Sequence, residues 1–423
     1  VTSGNTTEWQ TVRLGDLGRV VTGRTPPSSR PELFGERYPF VTPSDVALGV
    51  RKAPTERFIS DEGADFLRRI ILPPDTPSFV CIGATIGKVC LTDAWSFTNQ
   101  QMNSIVVDVE QYDPRFVYYL LVTQANRIKS LAGGAATPII NKSAFSDVEV
   151  DVPLLPNQHR IASILSAYDD LIENNTRRIA ILEEMARRLY EEWFVHFRFP
   201  GHEDATFIDT EQGSIPGRWE IKLVADTFEI IGGGTPSKKE PEYWEGGTIN
   251  WYAPTDLTRD KTAFMDKSGI QITDLGLKKS SAKLFPPMSV MMTSRATIGA
   301  IAINTTEAAT NQGFITCLPN ENFPLYLLYQ WLRANVETFI NLGTGATFKE
   351  ITKGTFKTIP VIVPPHDIAK KYQETVEPMM KMSLNLQRKN DNLRAQRDLL
   401  LPKLISGEIT VSEGENNLEN AVA

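Results

Sequence analysis

A chain of 423 residues has room for two domains of about 150 residues plus further helices, and its 44 basic against 51 acidic side chains argue against a domain that grips nucleic acid unaided by counterion release. No apolar run reaches the roughly 18 residues of a membrane span and no secretory leader is evident, so a cytoplasmic protein with no membrane contact is expected. Cys81, Cys90 and Cys317, with the scattered His159, His196, His202 and His366, lack paired metal spacing, and no bound metal is expected.

Residues 1–153 read as a first domain. Trp9-Gln-Thr-Val-Arg-Leu leads into Thr-Gly-Arg-Thr-Pro, a turn that carries Arg24, Thr25, Ser28, Ser29 and Arg30. Arginine can bond both acceptors of guanine, and hydroxyls can reach base edges or phosphates, so this turn is a candidate DNA contact. The competing reading is a solvated Gly/Pro turn. Arg68-Arg69 form a second basic site that is more simply a solvated face. Ala84-Thr-Ile-Gly87 reads as scaffold, where glycine serves backbone geometry; Thr98-Asn-Gln100 could hydrogen-bond DNA, but short polar side chains beside a strand more often satisfy local backbone groups, so scaffold is the favoured reading there too. Gly133-Gly-Ala-Ala-Thr137, with Asn141 and Lys142 close behind, is a stronger candidate for contact with DNA or a partner. Phe145 to Pro153 alternates and closes on Val-Pro.

A long helix is expected over 154–200. Following Asn157 as a possible cap, Ile161, Leu165, Tyr168, Ile172, Ile179, Leu182, Ala186, Leu189 and Trp193 recur in 4-3 spacing broken only by Asn175, which is a coiled-coil seam. Gly201 after Pro200 is the expected stop.

Residues 201–363 then repeat the first domain at an offset of 210 to 212. Trp219-Glu-Ile-Lys-Leu leads to Gly232-Gly-Gly-Thr-Pro; Trp251-Tyr-Ala-Pro-Thr-Asp256 matches Phe40-Val-Thr-Pro-Ser-Asp45; Ala296-Thr-Ile-Gly299 and Thr310-Asn-Gln312 repeat the shared motifs. The candidate turn now carries Thr235, Ser237, Lys238 and Lys239, and the second loop, Gly343-Thr-Gly-Ala-Thr347, is followed by Lys349 and Lys353. Lys278-Lys279 and Lys283 parallel the arginine pair. A second helix follows over 364–408, with Tyr372, Val376, Met379, Leu386, Leu393, Leu400 and Leu404 on its seam and polar Ser383, Asn390 and Arg397 at positions of the same seam. Pro378 predicts a kink or a late start, and Gly407 a stop. Residues 409–423 are expected to be a flexible tail. The period is too long for a solenoid of about 20 to 50 residues; two reading units that meet a quasi-symmetric object twice are the simpler reading.

The segment PNQHRIASILSAYDDLIENNTRRIAILEEMARRLYEEWFVHFRFPG from Pro156, and LRAQRDLLLPKLISGEI from Leu393 to Ile409, resemble the central and C-terminal conserved helices of the specificity subunit of Type I restriction-modification enzymes. The resemblance covers nearly the whole chain. It implies an α/β (mixed α+β) architecture of two target-recognition domains, each followed by a long helix, the helices pairing as an antiparallel coiled coil. It further implies a subunit that is not itself an enzyme, each domain reading half of a bipartite site in double-stranded DNA. Its partners would be two methyltransferase subunits, docked on helices that set the spacer, and two motor-nuclease subunits. S-adenosylmethionine, ATP and Mg would be bound by those partners, and no cofactor by this chain. A methyltransferase clamp also answers the charge problem, since neither domain is basic: 15 basic and 17 acidic residues in the first, 15 and 18 in the second.

Two alternatives remain at this stage, a protein-interaction scaffold with duplicated binding domains and a cryptic stand-alone nuclease. Against the second, Gly232-Gly-Gly234 lacks the lysine of a phosphate loop, and no Asn/Asp-Pro-Pro-aromatic motif or nucleophile-histidine pairing is recognisable.

Overall fold

The computed structural model describes residues 9–47, 49–133, 138–345 and 349–422. The chain divides into two compact units, 1–175 with 389–423 and 176–388. Each unit therefore takes part of both long helices, whereas the linear reading hangs each helix on the domain before it.

In the first unit, Trp9–Arg13 pairs antiparallel with Glu149–Pro153, which closes the domain on itself immediately before the central helix. Of the alternation expected over Phe145 to Pro153, only the strand Glu149–Pro153 keeps it, with Val150 and Val152 buried while Glu149 and Asp151 face out; Phe145 and Ser146 instead end a short helix, Lys142–Ser146. A four-stranded antiparallel sheet runs in the order Gly18–Thr22, Met102–Val107, Pro77–Val80, Val89–Leu91. Phe34–Gly35, Phe58–Ile59, Tyr38–Val41 and Phe97–Thr98 form a second small sheet. The helix Pro114–Ser130 packs its buried face into the same core, started by Asp113, whose carboxylate accepts from the amides of Arg115 and Phe116.

The second unit repeats the plan. Glu220–Leu223 pairs with Pro360–Val363. One sheet runs Glu229–Gly232, Phe314–Leu318, Val290–Thr293, Ile301–Asn304, Phe264–Met265, and a smaller one Ile270–Ile272, Ile249–Tyr252, Ala308–Thr310. Helix Leu325–Ala334 takes the place of Pro114–Ser130.

The central helix spans Leu155–Tyr190 and the C-terminal one His366–Ser406. Within the first unit, Ile161, Leu165, Tyr168 and Ile172 share a buried cluster with Leu393, Leu400 and Leu404. The pairing is antiparallel: Asn175 donates to Asn390 Oδ1 at 2.9 Å, and six residues earlier Asp169 meets Arg397, seven residues later. Within the second unit, Ala186, Tyr190 and Trp193 meet Tyr372, Val376 and Met380, with Tyr372 donating its hydroxyl to the Ala186 carbonyl at 3.1 Å. The expected seams are thus present, and their polar members Ser383, Asn390 and Arg397 are buried with the apolar ones.

Several expectations are corrected. The C-terminal helix starts at His366 and continues through Pro378, so there is no late start, and Met380 rather than Met379 is the fully buried methionine. Asn157 lies inside the first turn, not at the cap. The central helix ends in a π-helical turn, Glu191–Val195, well before Gly201; His196 N–H reaches the Glu191 carbonyl at 2.9 Å. That wide turn buries two successive aromatics, Trp193 and Phe194, and Phe194 meets Tyr372 edge-on at 4.9 Å. The flexible tail is instead a helix, Val411–Val422. Thr410 and Glu413 cap its start reciprocally, Val411 is buried, and Arg160 holds Glu415. Among the described residues no helix is long and apolar enough to cross a membrane.

Two predictions follow from the buried polar seam. Asp169 and Arg397 are only 8% and 9% exposed, so Asp169→Leu leaves the guanidinium with Asp398 alone and the buried Tyr119 hydroxyl without its acceptor, and should cost about 2 kcal/mol or more in denaturant unfolding, while adding Arg397→Met should recover part of that loss. Glu183 is half-buried, and burial raises its carboxyl above the ordinary value against the opposing pull of Arg333 and of the Ser383 hydroxyl. The folded state therefore holds that proton to higher pH than the unfolded chain does, and stability falls as pH rises between the ordinary and the raised value. Glu183→Gln should be the more stable protein near neutrality, with its advantage vanishing below the ordinary carboxylate range; a difference independent of pH would refute this.

Candidate nucleic-acid interface

In each unit a run of backbone hydrogen bonds lines up the candidate loops along one edge. In the first, Gly23 N–H reaches Met102 O at 3.2 Å and Arg24 N–H reaches Thr98 O at 2.9 Å. Cys81 N–H then takes Gln101 O at 2.8 Å, and Ile140 N–H takes Cys81 O at 2.9 Å. The first turn, the Thr-Asn-Gln turn and the end of the glycine loop are thereby stitched together. The second unit repeats the stitching: Gly234 N–H to Thr310 O at 2.8 Å, Ser294 N–H to Gly313 O at 2.8 Å, Ile351 N–H to Ser294 O at 2.9 Å. Glycine is required at Gly23 and Gly233, because a Cβ there would overlap the carbonyl oxygens of Thr98 and Asn99, or of Thr310 and Asn311.

The side chains on these loops have different fates. Arg24 is exposed, its guanidinium 5.5 Å from the centre of the Phe66 ring. Thr25 donates to Gln100 Oε1 at 2.8 Å, and Thr235 to Gln312 Oε1 at 2.6 Å. Ser28 and Ser29 sit exposed at the tip of the turn. Arg30 is not a free cation: it bonds Glu32 at 2.7 Å and Glu62 at 2.9 Å, and the Glu32 hydrogen bond foremost raises its pKa while lowering that of Glu32. In the second unit Lys238 and Lys239 are exposed and form no ion pair among the described residues, while Ser237 accepts the Lys239 amide at 3.3 Å.

Asn141 is a helix cap, its Oδ1 accepting the Ala144 amide at 2.8 Å, and Lys142 beside it is exposed. Lys349 is exposed, and its carbonyl takes the Ala296 amide at 3.1 Å. Lys353 crosses above Gly232, where a side chain would collide with its ammonium, so the second loop's cation lies against the first turn. Thr137 and Thr347 fall outside the described residues.

Sequence reasoning treated Thr98-Asn-Gln100 and Thr310-Asn-Gln312 as scaffold, and that holds for two residues of each. Thr98 and Thr310 are buried, and Asn99 and Asn311 close tight turns by accepting the amides of Gln101 and Gly313. Gln100 and Gln312, which the scaffold reading sets aside, are exposed beside the candidate threonines, and the exposed Phe66 carries no signal in the sequence. The repeat was the available signal for the glutamines. The Ala-Thr-Ile-Gly motifs behave as scaffold: Gly87 and Gly299 have φ of +97° and +91°, a region that favours glycine.

Burial pushes the thiols of Cys81 and Cys90 up to about 12, and raises Cys317 as well, which keeps all three protonated. Among the described residues no cluster of three or more His, Cys, Asp and Glu side chains is placed to hold a metal ion.

The Type I restriction modification DNA specificity domain matches this chain twice, at residues 6–184 and 216–393. The MjaIX specificity subunit of Methanocaldococcus jannaschii is 27% identical over 416 residues, covering 96% of this chain and 94% of that one. The HindI specificity subunit of Haemophilus influenzae is 22% identical, covering 95% and 100%. A crystal structure of a Type I restriction-modification S subunit from M. genitalium shares the fold with a TM-score of 0.61 at 18% identity, covering 96% of this chain and 98% of that one. With two copies of the domain across most of its length, this chain belongs to the family of Type I restriction-modification DNA specificity proteins.

Proposed function

We propose that the chain is the DNA-recognition subunit of a Type I restriction-modification complex, each domain reading one half of a bipartite target in double-stranded DNA. The observation that carries this reading is the repeated edge: one backbone scaffold in both units, bearing different exposed side chains. Arg24, Ser28 and Ser29 occupy in one unit the positions that Gly234, Lys238 and Lys239 occupy in the other. A constant frame with variable polar contacts suits two readers of different half-sites.

Two methyltransferase subunits dock on the long helices in this proposal, and two motor-nuclease subunits join for cleavage. Ile181, Met185, Met382 and Leu399 support the docking: they are large apolar side chains left exposed on helices that otherwise bury such residues. The chain performs no catalysis and binds no cofactor; S-adenosylmethionine, ATP and Mg belong to the partners, and the assembly works in the cytoplasm. The helix pair sets the spacer between half-sites.

The test is a domain exchange. Replacing residues 1–153 with the corresponding domain of another family member, in the presence of the methyltransferase partner, should alter one half of the methylated motif read by methylation-sensitive sequencing and leave the other intact. A change in both halves, or in neither, would sink the two-reader proposal. The same complex should prefer its site over unrelated DNA by about 4 kcal/mol or more, whereas the isolated chain, with no basic segment, should bind poorly in a gel-shift assay at physiological salt.

A further inference from the structure

One side chain of each polar turn faces solvent with its acceptor already engaged. Gln100 and Gln312 play no part in shaping their turns, which is the work of Asn99 and Asn311. Both glutamines are exposed, and each Oε1 takes the hydroxyl proton of a threonine on the first loop, Thr25 or Thr235. That bond orients the amide and turns Nε2, with its two N–H donors, away from the threonine. Neither Nε2 has a hydrogen-bond partner among the described residues.

The surrounding positions have diverged. Arg24 faces Gly234 in the repeat, Ser28 and Ser29 face Lys238 and Lys239, and Arg30 faces Glu240. The threonine-glutamine pair has not. Side chains that differ between two readers suit what differs between half-sites; a pair kept in one geometry suits what the half-sites share, which is the sugar-phosphate backbone. Glutamine reads adenine by using its carbonyl and its amide together, but here the threonine hydroxyl takes one lone pair of the carbonyl oxygen and fixes it inward, while both amide N–H donors stay unengaged. Phosphate oxygens accept such donors, and contacts of that kind set the register of a protein on the duplex.

We propose that Gln100 and Gln312 each donate to one backbone phosphate in their own half-site, with Thr25 and Thr235 as positioning residues that hold the amide outward. The proposal rests on the reading of this chain as a DNA-recognition subunit.

The experiment uses the full chain assembled with its methyltransferase partner, a duplex carrying the motif found methylated, and an unrelated duplex. Ethylation interference on the wild-type assembly should reveal phosphates whose modification blocks binding. Gln100→Ala should abolish interference at one phosphate of one half-site, and Gln312→Ala at one phosphate of the other. Affinity for both duplexes should fall by the same factor, roughly 10-fold or more for one hydrogen bond to a charged phosphate, with no change in salt dependence because no protein charge is lost. Gln100→Glu keeps an acceptor for Thr25 but has no donor, so it should fold and lose at least as much; Thr25→Val should lose part of the same contact. Selective loss of discrimination at one base pair, with every phosphate still interfering, would make the glutamines base readers and overturn the proposal, as would unchanged binding in all variants. If the wild-type assembly gives no site-specific footprint, the DNA-recognition reading itself falls, and this inference with it.

Discussion

The buried pair of Asp169 and Arg397 is the contact around which the first unit is organised. Asp169 lies on the central helix and Arg397 on the C-terminal helix, and Tyr119, from the domain helix Pro114–Ser130, donates its hydroxyl to the same carboxylate at 2.5 Å. Burial, then the charge of Asp169, pushes the Tyr119 pKa up, which keeps the hydroxyl a donor. Three segments far apart in sequence thus meet on one carboxylate. Such a pair adds little net stability over an apolar contact of the same shape, because both ions are stripped of water. Its effect is selective: sliding one helix past the other would leave the guanidinium only its neighbour Asp398 and would bury the Asp169 carboxylate without its cation. Asn175 and Asn390, one turn and more further along, set the same register, with Asn390 also donating to the Ile172 carbonyl at 3.2 Å.

This use of charge bears on the acidity of the chain. Arg51 is spent on Asp170, Arg388 on Asp266 with two bonds of 2.7 and 2.8 Å, and Arg30 on Glu32 and Glu62. Much of the arginine therefore works inside the protein. The exposed cations left on the candidate edges, such as Lys142, Lys238, Lys239 and Lys349, are few. A subunit built this way contributes discrimination rather than electrostatic grip, and the clamp must come from elsewhere in the complex.

What was legible beforehand followed from periodicity and repetition. The seam from Ile161 to Ile172, the alternation of Glu149–Pro153 and the duplicated loops are patterns that a single strand of text carries. What was not legible depended on partners remote in sequence. Arg30 looks free until Glu62 is brought beside it; Gln100 looks like scaffold until Thr25 closes on its carbonyl. The π-helical turn is invisible in a 4-3 repeat, which has no place for two successive inward aromatics and so selects Trp193 without Phe194. The last helix was missed for a different reason: Thr410 and Glu413 do spell a capping box, but the stretch is short, and it is the packing of Val411 onto the first unit that makes it worth forming.

The two units also differ in how their cores are distributed along the chain. Residues 176–388 hold every member of the second unit's main cluster, so that core is complete as soon as Leu384 has been made. The first unit needs Leu393, Leu400, Leu404 and Val411 from the far end, and Trp9 presses so closely on Gly407 that a Cβ there would lie 2.9 Å from the indole. During synthesis, then, the domain written first is the one that closes last. Until the returning helix is made, Leu165 and Tyr168 lack the residues that cover them, so the first core cannot be complete while the second domain is being synthesised, and apolar surface left open in a nascent chain is what favours misassociation.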